Sequence, residues 1–246
     1  MDNYDLFVVL DEVESTNNYA MQQAHEGLAI PGQAWFANEQ WGGKGQRGKK
    51  WVSKKGDNII MSLIVKPNKL FTTNHFYMSM LVANICRQFI EAKTNLQTYV
   101  KWPNDIFIDD RKAGGILIEN IFKGKEWQWA VIGIGINVNQ TSFEDIENTA
   151  QSLKNVTGKS YDPKTLAREL QQLLNTALNS IEKEDFKNVL EKCNKYLYKR
   201  DKLVSLKKDT AVFKTKIVAI NEYGQLLTAD AIERIFNVGE VEWVRD

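Results

Sequence analysis

The hydrophobic periodicity of the chain changes at Arg200, and this change sets the expected domain organisation. Before it, apolar residues recur at helical spacing, as Leu166, Leu170, Leu174 and Leu178 illustrate. After it, short apolar runs alternate with a period of two, which is typical of β-strands. A run of short strands that follows a helical segment predicts a small all-β domain behind a larger one.

Residues 1–198 carry both helix and strand patterns. The expected strands there cover residues 6–10, 34–39, 58–66, 98–101, 106–109, 115–119 and 127–137, and the expected helices cover 15–27, 74–92, 163–181 and 185–197. The later strands are expected at 203–206, 211–220, 225–229 and 232–244. The predicted fold class is therefore α+β, with a mixed β-sheet and packed helices in residues 1–198 and a small β-barrel in residues 199–246.

The composition excludes several classes of protein. The chain has 32 Lys and Arg against 31 Asp and Glu, so its formal charge is +1, and any site for DNA or an anionic membrane must be local. No stretch reaches 18 apolar residues, and acidic residues stand at the N-terminus, where a signal peptide needs basic ones. Cys86 and Cys193 are isolated, which argues against a structural zinc site and indicates a reducing compartment, so a cytoplasmic protein is expected.

A glycine-rich basic stretch lies at residues 42–50. Residues 43–48 match GxGxxG, but no helix is predicted to follow, so the dinucleotide fingerprint fails. The P-loop pattern also fails, because Lys50 stands where a magnesium-binding Ser or Thr is required. The three glycines let backbone N–H groups approach an anion, and four cations accompany them: Lys44, Arg47, Lys49 and Lys50.

Two interpretations of this stretch remain open. Its charges belong either to a solvated, flexible loop or to a mobile lid over a ligand that carries phosphate. The flanking Trp41 and Trp51 favour the lid, because exposed tryptophans are costly unless they stack on something.

Three further segments combine charges, small residues and amides. Residues 101–105 read Lys-Trp-Pro-Asn-Asp, which suits either a turn between strands or a site with a charge and a carboxylate. Lys112 precedes Gly114 and Gly115, and this pair either shapes a strand or marks the close approach of a ligand. The strand that ends at Asn137 has two interpretations: it ends in a bulge, or its Asn137 amide presents the donor and the acceptor that an adenine edge requires.

The segment Ser15-Thr16-Asn17, most simply a helix cap, precedes all of these. Taken in chain order, these segments resemble the biotin protein ligase family. They are the cap, Gln40, the Gly-Lys-Gly-Gln-Arg-Gly-Lys-Lys-Trp loop, Lys-Trp-Pro-Asn-Asp, Arg-Lys with Gly-Gly-Ile-Leu, and Gly-Ile-Gly-Ile-Asn. The resemblance implies a class II synthetase-like catalytic domain followed by an SH3-like β-domain. It also implies that ATP and Mg²⁺ activate biotin as biotinyl-5′-adenylate. A lysine of a biotin carboxyl carrier protein, from acetyl-CoA carboxylase or a related carboxylase, then takes the biotinyl group.

The same resemblance implies roles for individual residues. For biotin binding they are Ser15, Thr16, Asn17, Gln40, Gly43, Lys44, Lys112, Gly114 and Gly115. For ATP or adenylate binding they are Gln46, Arg47, Trp51, Asn104, Asp105, Asn137 and Arg245. The catalytic set is Lys112, Lys44, Arg47 and Asp105, with Lys112 between the biotin carboxylate and the α-phosphate. The metal ligands stay unassigned.

Members of the family that repress transcription carry a DNA-binding domain ahead of the ligase. Only residues 1–14 precede Ser15, so a ligase-only form that does not bind DNA is expected, with a homodimer as one option. The loop departs from the commonest family pattern, Gly-Arg-Gly-Arg, because Gln46 stands at the second arginine. A lipoate–protein ligase of the same fold is the closest alternative, although the basic loop favours biotin. A nucleic-acid-binding module is the alternative from another class, and the charge of +1 counts against it.

Overall fold

The computed structural model describes residues 6–143 and 149–244 of the chain. In these ranges the strands are β1 (Phe7–Val13), β2 (Ala34–Gln40), β3 (Asn58–Val65), β4 (Thr98–Lys101), β5 (Asp105–Ile108), β6 (Arg111–Lys123), β7 (Glu126–Asn137), β8 (Leu203–Lys208), β9 (Ala211–Ile220), β10 (Leu226–Ala229), β11 (Glu233–Phe236) and β12 (Glu242–Val244). The helices are α1 (Thr16–His25), α2 (Lys69–Thr73), α3 (Phe76–Thr94), α4 (Leu153–Thr157), α5 (Pro163–Ser180) and α6 (Asp185–Lys195). None of these described helices is long and apolar enough to cross a membrane.

The first seven strands form one mixed sheet in the order β1-β2-β3-β7-β6-β5-β4. The strands β1 and β2 are parallel, since α1 joins them by a crossover, and the other neighbours are antiparallel. Helices α3 and α5 pack on one face of the sheet and α1 packs on the other. Every residue of β3 is therefore buried, which explains the continuous apolar run that predicted this strand.

The remaining strands form a second sheet in the order β11-β10-β9-β8-β12, which is antiparallel throughout. Its apolar core includes Ile217 and Phe236, and it also takes in Trp102 from the larger part of the chain. Trp102 Nε1 donates a hydrogen bond to the Gly224 carbonyl at 2.9 Å. The small sheet is therefore packed directly against the Lys-Trp-Pro-Asn-Asp segment.

The predicted fold class, a mixed sheet with packed helices followed by a small all-β unit, is confirmed. Every strand of the second sheet lies after residue 198, which supports 198/199 as the proposed domain boundary. Closure of this sheet into an SH3-like barrel stays a prediction from the family resemblance.

Beyond shifts of one to three residues at the ends of other elements, the structure differs from the sequence predictions in three places. Strand β6 begins at Arg111 rather than at 115, because it pairs with β5 and β7 as part of a long hairpin. The strand expected over 232–244 is divided into β11 and β12, and Gly239 between them has a φ of +92°, which glycine adopts readily. Helices α2 and α4 are too short to show a helical period, and their side-chain caps are Asn68 and Ser152.

Candidate active site

A cavity of about 310 Å³ lies where the larger sheet, the N-terminus of α1, the glycine-rich loop and the small sheet meet. Most of the residues that the sequence predicts for the site line this cavity. They are Ser15, Thr16, Asn17, Gln40, Lys44, Gln46, Arg47, Trp51, Asn104, Asp105, Lys112 and Gly115. The fold therefore brings together four segments that are far apart in the chain.

Lys112 and Asp105 form an ion pair in the wall of the cavity, with Lys112 Nζ 2.6 Å from Asp105 Oδ1. Asp105 begins β5 and Lys112 lies near the start of β6, so the antiparallel pairing of these strands brings the two charges together. The Lys112 N–H donates to the Thr149 carbonyl at 2.7 Å, and the Lys112 carbonyl accepts from the Gln151 N–H at 3.0 Å. Backbone and side chain together give the ammonium group a fixed position beside the cavity.

The indole ring of Trp51 lies against glycines of β6 and β7. A Cβ atom on Gly135 would stand 2.4 Å from Trp51 Cε2, and one on Gly115 would stand 3.3 Å from Trp51 Cζ3. Glycine at these positions therefore makes room for the ring. The Lys112 Nζ lies 5.7 Å from the ring centroid, within the range of a cation–π interaction. Trp51 Nε1 is buried and has no hydrogen-bond partner among the described residues.

A polar wall of the cavity comes from the N-terminus of α1. Ser15 caps the helix by accepting from the Asn18 N–H at 3.5 Å, and Thr16 and Asn17 are almost fully buried. This segment is therefore both a helix cap and part of the cavity lining, and its role in biotin binding stays a prediction. Gln40 Oε1, at the end of β2, accepts from the Thr16 N–H at 3.4 Å and joins β2 to the same wall.

The glycine-rich loop is a small irregular hairpin beside the cavity, closed by an isolated antiparallel bridge between Lys44 and Lys50. Arg47, within the hairpin, has a left-handed φ of 58°. Its Nη1 lies 3.0 Å from Glu242 Oε1 of β12, so the loop contacts the small sheet as well as the larger part of the chain. The expected mobility of this loop without ligand stays a prediction.

The cavity is more basic than the chain as a whole. Its lining contains the cations Lys44, Arg47, Lys49, Lys50, Lys101 and Lys112 and the carboxylates Asp105 and Glu242. Both carboxylates are already ion-paired, with Lys112 and Arg47 respectively. A chain with a formal charge of only +1 thus has a local site that suits an anionic ligand.

The side chains that could hold a magnesium ion at this site are carboxylates of the cavity lining. Within residues 6–143 and 149–244, no group of three His, Cys, Asp or Glu side chains could hold a metal ion. Magnesium prefers oxygen ligands and is usually bound through one or two carboxylates together with substrate phosphates. Asp105 and Glu242 supply two carboxylates to the cavity, so the donor set fits a magnesium ion that binds together with a phosphate ligand.

Asn137 does not line the cavity, and its expected contact with adenine stays a prediction. Its Nδ2 donates to the Lys112 carbonyl at 3.3 Å and to the Gln151 carbonyl at 3.2 Å. Both donors of the amide therefore hold the backbone around Lys112. An amide at the end of a strand looks the same in the sequence whether it contacts a ligand or the backbone.

Gly43 and Gly114 also lie outside the cavity lining, next to the lining residues Lys44 and Gly115, and their expected contact with biotin stays a prediction. A Cβ on Gly43 would stand 2.3 Å from the Trp51 carbonyl oxygen, and one on Gly114 would stand 3.0 Å from the Gly135 carbonyl oxygen. These glycines allow close backbone packing next to the cavity. Arg245, expected at the nucleotide, lies outside the described residues.

Among the lining residues that have no role in the sequence predictions are Lys101, Trp102, Glu242 and Trp243. The first two belong to the Lys-Trp-Pro-Asn-Asp motif, which could have indicated them. No local signal marks the other two, because β12 reaches the cavity only through tertiary packing. Trp243 Nε1 donates to the Trp102 carbonyl at 3.2 Å and connects the small sheet to the motif.

Comparison with known proteins gives a family match. The model of the biotin/lipoate A/B protein ligase family matches residues 9–137. The bifunctional ligase/repressor BirA of Bacillus spizizenii is 36% identical over 156 residues, which cover 62% of this chain and 47% of that protein. The bifunctional ligase/repressor BirA of Escherichia coli is 30% identical over 200 residues, which cover 80% of this chain and 61% of that protein. The chain therefore spans less than two thirds of the length of these relatives.

A solved structure extends the likeness beyond residue 137. The biotin protein ligase from Aquifex aeolicus in complex with biotin and ATP has a TM-score of 0.82 and 26% identity to this chain. The match covers 99% of this chain and 100% of that one, so it includes the small sheet.

Proposed function

Since the chain belongs to the biotin/lipoate A/B protein ligase family, we propose that it is a biotin–protein ligase, which activates biotin with ATP and transfers it to a carrier protein. One observation carries this proposal: the Lys112–Asp105 ion pair, the polar wall at Thr16 and the basic loop with Trp51 line a single cavity. The cavity thereby combines polar groups for a ureido ring, cations for a carboxylate and phosphates, and an aromatic ring for a nucleobase.

In the proposed first step, an oxygen of the biotin carboxylate attacks the α-phosphorus of ATP. A new O–P bond forms, the bond from the α-phosphorus to the bridging oxygen breaks, and pyrophosphate leaves with that electron pair. At about 4 Å and an effective dielectric of about 20, the repulsion between the two anionic groups is about 4 kcal/mol. We assign Lys112, held beside the cavity by Asp105, to offset this repulsion, with Lys44 and Arg47 of the loop assisting.

In the proposed second step, the amine of a carrier-protein lysine attacks the acyl carbon of biotinyl-5′-adenylate. A C–N bond forms, the bond from the acyl carbon to the phosphate oxygen breaks, AMP leaves, and the amine loses a proton. Asp105 is our candidate acceptor for that proton, because it is a carboxylate of the cavity lining. Positioning alone supplies much of the rate for so reactive an acyl donor.

The ligand placement follows from the chemistry of the walls. We assign the ureido ring of biotin to Ser15, Thr16 and Gln40, and the adenylate to the region of Trp51, whose Nε1 has no partner among the described residues. Magnesium would bind with the phosphates, with the carboxylate of Asp105 within the cavity. It would supply charge neutralisation to the leaving pyrophosphate.

The proposed protein partner is a biotin carboxyl carrier protein of acetyl-CoA carboxylase or a related carboxylase. A cytoplasmic location and a homodimer are further hypotheses that follow from the sequence and the resemblance. Transfer of labelled biotin to a purified carrier domain tests the partner, and sedimentation of the purified chain tests the dimer.

Exchange of labelled pyrophosphate into ATP tests the proposed function directly. We expect exchange that requires biotin, and we expect Lys112→Met to lose it while Lys125→Met, at an exposed turn, retains it. Exchange that requires lipoate instead of biotin would support the lipoate–protein ligase. Failure of both, together with binding to nucleic acid that weakens steeply with salt, would support the nucleic-acid-binding module.

A further inference from the structure

A chain of hydrogen-bonded polar side chains lies behind the wall at α1, in which Thr16, Asn17 and Ser62 are buried and Glu119 is partly exposed. Asn17 Nδ2 donates to Glu119 Oε2 at 2.8 Å and to the Leu117 carbonyl at 3.4 Å, and both partners belong to β6. A backbone carbonyl can only accept, so the amide nitrogen of Asn17 must face β6. The amide oxygen of Asn17 must then face away from β6.

The Asn17 oxygen faces Ser62 of β3, which is fully buried. Ser62 Oγ lies 2.6 Å from Asn17 Oδ1 and 2.7 Å from Thr16 Oγ1. An amide oxygen can only accept, so the single hydroxyl proton of Ser62 must point to Asn17. The Thr16 hydroxyl must therefore donate its own proton to Ser62, because two oxygens at this distance repel unless a proton lies between them.

The consequence is a fixed polarity at the cavity wall. The Thr16 hydroxyl donates its only proton to Ser62, so a ligand atom that reaches this oxygen from the cavity meets only lone pairs. Gln40 accepts from the Thr16 N–H through Oε1, so its Nε2 is the end that remains to donate. The wall thus offers an acceptor beside a donor, and an N–H next to a carbonyl is the complementary ligand group.

We propose that Glu119 and Ser62 are positioning residues that set this polarity and thereby select ligands that donate an N–H to Thr16. Neither residue lines the cavity, so both act through Asn17 and Thr16. The inference rests on the proposed function, since the ureido ring of biotin is a cyclic urea that carries such N–H groups. It adds to that function the origin of ligand selection.

The test compares the binding of biotin with that of two cyclic carbamate analogues, in each of which one ureido N–H is replaced by an oxygen of nearly the same size. Titration calorimetry without ATP measures binding apart from catalysis. For the wild-type chain we expect the analogue without the N–H that faces Thr16 to bind more weakly than biotin, as at a buried site that loses its hydrogen-bond partner. The ratio of its dissociation constant to that of biotin should be on the order of 10⁴. In Ser62→Ala the Thr16 hydroxyl is free to turn and donate to the ring oxygen, so this ratio should fall at least about tenfold.

Variants at Glu119 provide the second arm. Glu119→Ala leaves the Asn17 amide with only the Leu117 carbonyl, so the ratio should fall, whereas Glu119→Gln retains an accepting oxygen and should keep the wild-type ratio. Ser152→Ala is the matched control, because Ser152 is also a fully buried serine but lies outside the cavity lining.

The outcomes separate this inference from the proposed function. If Ser62→Ala weakens biotin and the analogues by the same factor, the ratio is unchanged and the inference is overturned while biotin binding stands. If the wild-type chain does not bind biotin, both are overturned. Should Glu119→Ala fail to fold, Ser62→Ala decides the question, because it removes a single buried oxygen atom.

Discussion

Arg47 of the glycine-rich loop and Glu242 of the small sheet form an ion pair, with Arg47 Nη1 3.0 Å from Glu242 Oε1. Both residues line the cavity, so the pair connects a candidate lid to the second sheet at the site itself. About half of each side chain is exposed, at 49% and 56%. Solvent screens such a pair, and its contribution to closure of the loop is therefore about 0.2–1 kcal/mol.

Glu242→Gln is expected to open the loop more often, because the ion pair with Arg47 is lost. Limited trypsin digestion should then cut within residues 44–49 about 1.5 to 5 times faster than in the wild-type chain, as the free-energy range above implies. Biotin with ATP should slow the cutting of the wild-type chain. Glu233→Gln, on β11 and outside the cavity lining, is the control. Equal rates in Glu242→Gln and wild type would show that the pair does not hold the loop.

Lys112→Met is expected to retain the fold and to lower the rate of adenylate formation by on the order of 10²–10³, the usual loss of one preorganised electrostatic contact. The reason is the position of its ammonium group beside the cavity, 2.6 Å from the Asp105 carboxylate. Single-turnover formation of biotinyl-5′-adenylate is the measurement, with Lys125→Met as the control. A rate within about tenfold of wild type would be incompatible with this role.

Gly135→Ala is expected to displace the Trp51 ring, because the added Cβ would stand 2.4 Å from Trp51 Cε2. If the ring packs against the adenylate, retention of the adenylate should weaken by about 2 to 12 times, the range of one aromatic contact. In a Trp51→Ala background the same glycine substitution should have little further effect. Additive losses in the double variant would mean that Gly135 acts independently of Trp51.

Gln46→Arg is expected to slow the release of the adenylate, because a charged hydrogen bond to phosphate replaces a neutral one. The difference is about 1 kcal/mol, or about fivefold in the release rate. Gln46 lines the cavity beside Arg47, so an arginine there could reach the ligand. The assay preforms labelled adenylate without carrier, adds excess unlabelled biotin and follows the loss of label. An unchanged or faster rate would show that the neighbouring cations already hold the intermediate.

Cys86 and Cys193 are expected to make the fold less stable in alkali. Burial raises the pKa of each thiol from its ordinary value of 9.0 to about 12. Below pH 9 both thiols are protonated in the folded and unfolded states, so the stability is complete. Between pH 9 and 12 the unfolded chain releases protons that the folded chain retains, so the free energy of unfolding falls as the pH rises.

Urea unfolding from pH 7 upwards measures this fall, and a Cys86→Ala, Cys193→Ala double variant should reduce its slope above pH 9 relative to wild type. Identical slopes in the two proteins would attribute the loss to other groups. A thiol reagent should also leave both cysteines of the folded chain unmodified, since each side chain is buried.

Local patterns in the sequence determined the elements of the fold. The continuous apolar run of residues 58–65 predicts strand β3, and Asp162 followed by Pro163 predicts the start of helix α5. Both are local predictions, because strand burial and helix capping depend on neighbouring residues. The same holds for the change of period that separates the two sheets. The motifs also identified most of the cavity lining, since glycines and cations were placed next to one another in the chain.

Tertiary packing alone decided which side chains meet. The amide of Asn137 and that of Asn17 are alike in the sequence, but Asn137 holds the backbone beside Lys112 whereas Asn17 lines the cavity in contact with Glu119. Glu242 enters the site only because the small sheet packs against Trp102. Contacts between residues more than 100 positions apart depend on sheet order and domain packing, and no local pattern of residues encodes them.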